Sequence, residues 1–357
     1  MRWAGWWVGL LCSLACGAPT PPPTPSGGGA ITAPDGGSAD AGAVEDCAGL
    51  MPAPPGAAVT FDVPANPGEL CSTGAVDGQG IVAADAEPAS NPLKRWFEFS
   101  APYGSHVGSF ESPEIFAQGK GFIGLYASGT AQPQAISVAL WNSGGAIDTA
   151  PIPVGTAGSV VLGRSLGGGV ISLSADASSL TARKHDAEAA EIASTTLPGA
   201  FAPRAVAEDA SGAILALTAS GTAIAGVWID LAKNSAGQPF PVGNATSAGA
   251  RPLLGGGVAV QLDGAWAGVM VPGEASLRPL PAWLTAAADP VPVRSGKAYA
   301  LVPRTGNSVG IASAQGRSCG SVTFPGVSSV SVGSDGSVVG SMGASGCTKL
   351  VWRNLLR

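Results

Sequence analysis

Sulfur chemistry is the clearest covalent chemistry available to this 357-residue chain. Cys47 and Cys71 lie near its beginning, whereas Cys319 and Cys347 lie near its end. Zinc sites commonly use Cys-x-x-Cys pairs, and these four cysteines form none. We therefore interpret them as disulfide candidates with three possible pairings, and we expect at least one bridge to join the two ends of the fold. No metal site is predicted.

The residues that commonly act as catalytic bases or nucleophiles are isolated in the sequence. His106 and His185 are far apart and lack the His-x-His or His-Glu-x-x-His spacing of a metal site. No Gly-x-Ser-x-Gly motif is accompanied by a credible base, and the glycine clusters 167–169 and 255–257 precede strand-like runs, which indicates turns and not phosphate-binding loops. We predict no catalytic residue, no cofactor, and loop or surface positions for both histidines.

Three aspartates precede apolar runs within glycine turns, namely Asp77, Asp209 and Asp335. Carboxylates in such turns accept hydrogen bonds from backbone amides and initiate hairpins. Calcium binding is the alternative, but each loop supplies one carboxylate, whereas calcium takes about six to eight oxygen ligands. The sequence therefore favours turn capping.

The first fifteen residues have the pattern of a cleaved export signal. Arg2 supplies a positive charge, and the 12-residue apolar stretch 3–14 is too short for a permanent membrane helix. The sequence Ser-Leu-Ala-Cys-Gly at 13–17 resembles the lipobox of bacterial lipoproteins. This resemblance implies acylation of Cys16 and, because Gly17 stands where an aspartate signals inner-membrane retention, an outer-membrane address. Ordinary cleavage before Cys16, without acylation, is the alternative.

Residues 16–46 have the composition of a tether. They contain proline-rich and glycine-rich stretches with almost no large apolar side chain, so they cannot bury enough surface to offset their ordering entropy. We predict a signal peptide at 1–15, a lipidated disordered linker at 16–46 and a folded part at 47–357. In the cell envelope this folded part would lie in an oxidising compartment, where disulfides persist.

The composition favours an all-β fold without a nucleic-acid partner. The 53 glycines and 30 prolines imply frequent chain reversals, and the 45% of apolar residues suffice for a sizeable core. The net charge is −6, and basic residues cluster only in pairs such as Lys94-Arg95 and Arg183-Lys184. Such pairs do not form a phosphate-binding surface, and we expect them at solvated strand ends or loops.

A short apolar run after a glycine turn recurs along the chain. Its spacing is 39 to 48 residues, with runs beginning at 81, 122, 170, 213, 258, 298 and 337. This period is typical of propeller blades. Several runs are apolar at consecutive positions, as in Ala213–Leu217, which predicts strands buried on both faces.

Two further markers accompany the runs. An apolar residue with a following proline precedes each run and is expected on an outer strand, as at Ile152-Pro153, Leu197-Pro198 and Leu280-Pro281. A tryptophan follows the run's start by 15 positions in three repeats and is interpreted as packing between blades, at Trp96, Trp228 and Trp352. The order of the three markers resembles β-propeller repeats of the NHL-like and quinoprotein-like kind.

The seven runs predict a seven-bladed β-propeller, with six or eight blades as alternatives and tandem immunoglobulin-like sandwiches as the rival fold. The last repeat stops without an outer strand, whereas Val59–Pro64 has the pattern of an outer strand with no blade before it. We predict that residues 58–64 pair antiparallel with 349–352 and complete the last blade. This closure would remove two open sheet edges.

The predicted function follows from the tether and the repeat scaffold. We expect a monomeric, membrane-tethered envelope lipoprotein whose propeller binds a protein or glycan partner through its loops. The alternative is a propeller enzyme, either a hydrolase or a quinone-dependent dehydrogenase, with its site in the central channel. Such a site needs several acidic or histidine side chains, and inner-strand segments such as 160–162 and 253–254 offer few.

Overall fold

In a computed structural model of the chain, the described residues form β-structure. The described residues are 47–50, 52–67, 70–71, 74–76, 82–87, 94–100, 105–112, 115–118, 121–128, 133–142, 146–166, 168–284, 288–293, 296–353 and 355. Their regular elements are all strands, and none of them forms a helix with the length and apolar character needed to cross a bilayer. The predicted signal peptide, Cys16 and the linker lie outside these residues.

Twenty-nine strands in the described ranges form seven antiparallel sheets, which we number in chain order. The first strand is β1 (Val59–Asp62), and sheet 1 contains β2 (Leu70–Cys71), β3 (Ala75–Val76), β4 (Val82–Glu87), β5 (Lys94–Ser100) and β6 (Ser105–Ser112). Sheet 2 contains β7 (Ile115–Gln118), β8 (Gly121–Ser128), β9 (Ala135–Trp141) and β10 (Ile152–Thr156). Sheet 3 contains β11 (Val160–Arg164), β12 (Val170–Ala175), β13 (Ser179–His185) and β14 (Glu191–Pro198).

The remaining sheets follow in the same order. Sheet 4 contains β15 (Ala202–Glu208), β16 (Ile214–Ser220), β17 (Ala223–Asp230), β18 (Ser235–Ala236) and β19 (Phe240–Asn244). Sheet 5 contains β20 (Ala248–Pro252), β21 (Val258–Leu262) and β22 (Ala265–Met270), and sheet 6 contains β23 (Ala288–Val293), β24 (Ala298–Pro303), β25 (Ser308–Ser313) and β26 (Ser318–Thr323). Sheet 7 combines β1 with β27 (Ser329–Val332), β28 (Val338–Met342) and β29 (Thr348–Trp352).

The number of complete blades differs from the prediction. Six sheets have four or five strands in the described residues, whereas sheet 5 has three. The prediction of a seven-bladed propeller is therefore wrong: the fold is an all-β propeller with six blades, as in the six-bladed alternative. The repeat that begins at residue 258 forms a three-stranded sheet instead of a blade.

Sheet 5 has no outer strand because the chain turns away after one bridge. Arg278 exchanges backbone hydrogen bonds with Val269 of β22, at 2.8 and 3.0 Å, and the ladder then stops. Beyond this point Leu280, Trp283 and Leu284 pack against the core of sheet 5, and Leu284 is buried there. Full burial of such a side chain contributes about 1.5 to 3 kcal/mol, whereas a ladder hydrogen bond contributes roughly 0.5 to 1.5 kcal/mol. Side-chain burial therefore stabilises this arrangement more than further pairing with β22 would.

The two ends of the fold meet in sheet 7. Strand β1 pairs antiparallel with β29, and Val59 opposes Val351 while Asp62 opposes Thr348. This register confirms the predicted closure by the N-terminal strand. The Phe61 ring lies 4.3 Å from that of Phe99, between their centroids, so β1 also joins sheet 7 to sheet 1.

Two disulfides reinforce the closure. Of the three pairings that the sequence allows, the structure contains Cys47–Cys319 and Cys71–Cys347, with Cα–Cα distances of 5.4 and 4.8 Å. The first holds the segment before β1 on β26, and the second holds β2 on the turn before β29. Both bridges therefore join the beginning of the folded part to its end.

The tryptophan marker corresponds to buried packing in most of the described repeats. Trp141, Trp266 and Trp352 are buried, and the Trp352 ring lies 4.9 Å from that of Phe324, between their centroids. Trp228 is half-buried, and its indole N–H donates to the carbonyl of Glu274 at 3.3 Å. Trp228, Trp266 and Trp352 contact residues of a neighbouring sheet or of the segment that follows it, as predicted.

Candidate functional site

The two histidines lie on strands and not in the predicted loops. His106 is in β6, and His185 ends β13 with a side chain that is fully buried. The Nδ1 of His185 lies 3.3 Å from the carbonyl oxygen of Ala189, which can only accept, so Nδ1 carries the proton and Nε2 accepts from the Ser172 hydroxyl at 2.9 Å. Burial lowers the pKa of His185 below its usual value, which keeps the imidazole neutral.

This serine–histidine pair is structural. Both side chains are fully buried within sheet 3, so a substrate has no route to the Ser172 hydroxyl. The pair satisfies two polar groups between strands β12 and β13, which the folded state would otherwise leave without partners. No sequence motif indicates this pair, because the two residues meet only through strand pairing.

The aspartate turns behave as predicted where they are described. One carboxylate oxygen of Asp209 accepts from the amides of Ser211 and Ala213 at 2.9 and 3.1 Å, and Asp335 accepts from the Ser337 amide at 3.1 Å. Asp77 lies outside the described residues. Within the described ranges, no three His, Cys, Asp or Glu side chains come together as a metal site.

Charged side chains near the central axis form ion pairs that link neighbouring sheets, and the sequence did not indicate them. Two cavities of about 160 Å³ each are lined from the first strands of sheets 2, 3, 5, 6 and 7. Arg164 borders both cavities and lies over the Phe116 ring, 5.5 Å from its centroid. Asp289 borders one of them and pairs with Arg251 at 3.0 Å, which joins sheet 5 to sheet 6.

A second link of this kind lies between sheets 3 and 4. Glu208 is buried and accepts from Lys184 and from the hydroxyl of Ser165. Arg183 donates to the Ser174 hydroxyl at 2.9 Å. The Arg183-Lys184 pair, expected at a solvated strand end, is thus half-buried and takes part in packing between sheets.

A larger concave surface lies where sheet 5 lacks its outer strand. It is a groove of about 440 Å³ between sheets 5 and 6, which we call the seam groove. Its lining is mainly apolar and contains Leu253, Gly255, Gly256, Val269, Val271, Arg278, Pro279, Pro281, Trp283, Tyr299, Ala314 and Gln315. This volume falls within the range of ligand-binding clefts.

Tyr299 holds one wall of the seam groove in place. Its hydroxyl accepts from the backbone amides of Leu254 and Gly255, in the loop between β20 and β21. Burial raises the pKa of Tyr299 to about 12, so the phenol stays neutral at physiological pH. Asp209 of sheet 4 accepts from the Gly257 amide at 3.4 Å, which fixes the other end of the same loop.

Trp283 is fixed beside Tyr299. Its ring stacks on that of Tyr299 at 4.8 Å between centroids, with 24° between the planes. Gly316 also lies against the Trp283 ring, because a Cβ at this position would come within 1.9 Å of the Trp283 Nε1. The backbone φ of +83° at Gly316 favours glycine as well. The groove therefore exists before any ligand arrives.

One charged side chain borders the seam groove among the described residues that line it. The guanidinium of Arg278 pairs with the Glu274 carboxylate through Nε at 2.8 Å and through a second, closer contact. This hydrogen bonding lowers the pKa of Glu274. Both side chains are exposed by more than a third, so the ion pair is weak and can rearrange.

The sequence did not identify the seam groove. Its residues come from three separate stretches, 253–256, 269–283 and 314–315, together with Tyr299. One signal was available: Trp283 follows the start of its run by 25 positions, whereas the marker tryptophans follow by 15. A large aromatic residue outside the repeat register indicates a departure from the common blade.

Comparisons with known proteins give solved structures of low similarity and no family. No protein-family model matches the chain, and no curated protein matches it. Among solved structures, the Pan2 WD40 domain of Neurospora crassa is 13% identical with a TM-score of 0.47, covering 82% of this chain and 93% of that one. A streptogramin B lyase is 14% identical with a TM-score of 0.46, and the match covers 84% of this chain and 97% of the lyase.

BamB from Moraxella catarrhalis is also similar, at 14% identity and a TM-score of 0.35, covering 79% of this chain and 84% of that one. At such identities and scores, the similarity says nothing about what this chain binds.

Proposed function

We propose that this protein is a membrane-tethered binding propeller of the bacterial cell envelope, and that a protein partner engages it at the seam groove. The observation that carries this proposal is the groove itself: a concave, mainly apolar surface that Tyr299, Asp209 and Gly316 fix in place. Preorganised surfaces of this kind bind without paying the entropy of ordering a loop.

A protein partner fits the lining better than a glycan does. Glycan sites surround their aromatic residues with many polar side chains, whereas the lining of the seam groove offers few. Arg278 and Gln315 are the only charged or amide side chains among the described residues of the lining. Apolar clefts with few polar groups favour apolar side chains of a protein ligand.

The tether is the second part of the proposal. Acylation of Cys16 and the linker up to residue 46 would hold the propeller at the outer membrane, as the lipobox resemblance implies. Labelling with a radioactive fatty acid tests this part: the wild type should incorporate the label and Cys16→Ala should not. Equal incorporation by both would exclude Cys16 as the acceptor.

Crosslinking in living cells tests the binding site. A photoreactive amino acid in place of the exposed Gln315 should give one discrete protein adduct, and the same amino acid at Lys233, an exposed position in sheet 4, should not give it. The identified partner should then bind the purified propeller directly.

A steric block completes this test. Gly255 has a backbone outside the left-handed region, and a Cβ there meets the Ala314 carbonyl at an ordinary 3.5 Å, so Gly255→Leu fills the groove while the fold is kept. Gly237→Leu is the matched control, because a Cβ at this exposed glycine meets only the Trp228 carbonyl, at 3.8 Å. An adduct that survives Gly255→Leu, or no discrete adduct at 315, would refute a partner in the groove.

A further inference from the structure

We propose that the seam groove recognises an extended protein segment that places an apolar or proline side chain beside Trp283 and a carboxylate on Arg278. In this interaction Arg278 exchanges its partner Glu274 for the acidic residue of the bound segment. The inference rests on the proposed function and specifies its recognition chemistry.

Charge complementarity points to an acidic ligand. Arg278 is the charged residue among the described residues that line the groove, on a chain whose net charge is −6. It stands at the edge of an otherwise apolar cleft, where its side chain is 57% exposed. A guanidinium in that position binds a carboxylate in a bidentate manner and fixes the register of the ligand.

The Glu274–Arg278 pair makes this exchange inexpensive. Glu274 lies four positions before Arg278 in an exposed turn, and its amide donates to the Val271 carbonyl at 3.0 Å. The turn therefore holds the backbone of Glu274 independently of Arg278. An incoming carboxylate replaces this exposed ion pair by a similar one. In the unbound protein, the Glu274 carboxylate competes with the ligand carboxylate for the Arg278 guanidinium.

The shape and lining favour an extended segment. Aromatic side chains and prolines, here Trp283, Tyr299, Pro279 and Pro281, border the groove together. Grooves lined by aromatic residues commonly bind proline-containing or extended segments, whose backbone needs little ordering on binding. The same lining offers few hydrogen-bonding groups to a folded polar surface.

Selection of binders tests the inference without knowing the natural partner. The full-length protein, purified in detergent, is used to select ligands from a displayed library of random linear peptides. We expect peptides with an aliphatic or proline residue next to Asp or Glu. In solution, a selected peptide should bind Arg278→Glu about tenfold or more weakly than the wild type.

Two variants separate recognition from general electrostatics. Glu274→Gln removes the competing carboxylate, so it should tighten binding of the same peptide by about twofold to fivefold. Arg304→Glu makes the same charge change at an exposed position after β24, away from the groove, and should leave the affinity unchanged. Gly255→Leu should abolish binding.

The outcomes distinguish the two proposals. Peptides that Gly255→Leu blocks, but that lack acidic residues and bind Arg278→Glu normally, would overturn the inference while a protein-binding groove stands. Peptide binding that survives Gly255→Leu, together with no adduct at position 315, would refute the proposed site as well. Binding of sugars on a glycan array, sensitive to Gly255→Leu where no peptide is selected, would also overturn the inference.

Discussion

Sheet 7 has a fourth strand and sheet 5 does not, although a segment of the chain reaches the outer position in both. In sheet 7 the outer position is taken by β1, which pairs over four residues with β29 although nearly the whole folded chain separates them. In sheet 5 the adjacent segment reaches the outer position, forms one bridge at Arg278 and leaves. The remote segment completes its blade, and the adjacent one does not.

The comparison shows that burial of side chains, and not chain connectivity, decides where an outer strand forms. In β1 the side chain of Phe61 is buried against Phe99 while its backbone pairs with β29, so both contributions coincide. In the segment after β22 they are separate, because the backbone bridge lies at Arg278 whereas Leu284 is buried against sheet 5 after the ladder has ended. The seam groove lies where the ladder ends.

The largest effect is expected from the disulfide that locks the closure. Replacing both Cys71 and Cys347 by alanine removes a link across 276 residues. Because Cys47–Cys319 still joins the two ends of the unfolded chain, the loop that this bridge closes consists of the segments 47–71 and 319–347. Loop-closure entropy then predicts a loss of about 4 kcal/mol in the free energy of unfolding, measured by urea denaturation. A loss below about 1 kcal/mol would mean that β1 and the core close the propeller by themselves.

The second effect tests β1 directly. Phe61→Ala removes a side chain that is 6% exposed, and it should lower the free energy of unfolding by about 3 to 5 kcal/mol. Val59→Ala, two residues earlier in the same strand but 39% exposed, should change it by less than about 0.5 kcal/mol. Similar values for the two variants in urea denaturation would contradict the assignment of Phe61 to the closing core.

The sequence was sufficient to predict the repeat period, the buried middle strands and the closure. Each depends on a pattern within the strand itself, such as Ala213–Leu217 or Val59–Pro64, so local reading was enough. The blade count failed at Leu280-Pro281, which has the same marker as the outer strands that contain Ile152-Pro153 and Leu197-Pro198. What differs is the burial of Leu284 a few residues later, and that is a tertiary property.

The candidate site could not be predicted for the same reason. The seam groove exists because Tyr299 of sheet 6 holds the loop before β21 and stacks on Trp283, which follows β22. No spacing in the sequence indicates that these three stretches meet. The sequence did predict correctly that Asp209 caps its turn, but not that its second oxygen holds Gly257.

The third effect tests the packing that replaces the missing strand. Leu284 is 3% exposed in the core of sheet 5, so Leu284→Ala should cost about 2 to 4 kcal/mol of unfolding free energy in urea denaturation. Ile192→Ala, on an outer strand with 56% exposure, is the control and should cost less than about 0.5 kcal/mol. Equal losses of unfolding free energy in the two variants would contradict the explanation that burial of Leu284 replaces the fourth strand of sheet 5.

The fourth effect concerns the groove wall. Tyr299→Phe leaves the amides of Leu254 and Gly255 without the hydroxyl, at a cost of about 1 to 3 kcal/mol. These two amides should then exchange hydrogen faster with solvent, as mass spectrometry can measure. Tyr126→Phe is the control, because its hydroxyl makes no hydrogen bond within the described residues, and exchange at 254 and 255 should not change.

The smallest effect is a pH dependence of the free energy of unfolding. His185, inside a complete blade, should contribute to it, whereas Glu274, at the edge of sheet 5, should not. Burial lowers the pKa of His185, so the unfolded chain binds a proton that the folded protein does not. The stabilisation is complete above the unfolded pKa of about 6.5 and is lost as the pH falls below it, by up to about 1.4 kcal/mol between pH 7.5 and 5.5. Unfolding by urea at the two pH values should show this loss in the wild type and not in His185→Gln.

Glu274→Gln should keep the loss, because the pKa of Glu274 is lowered and its titration lies below this window. An unchanged pH dependence in His185→Gln would mean that His185 is already charged in the folded blade, or that other groups set the response.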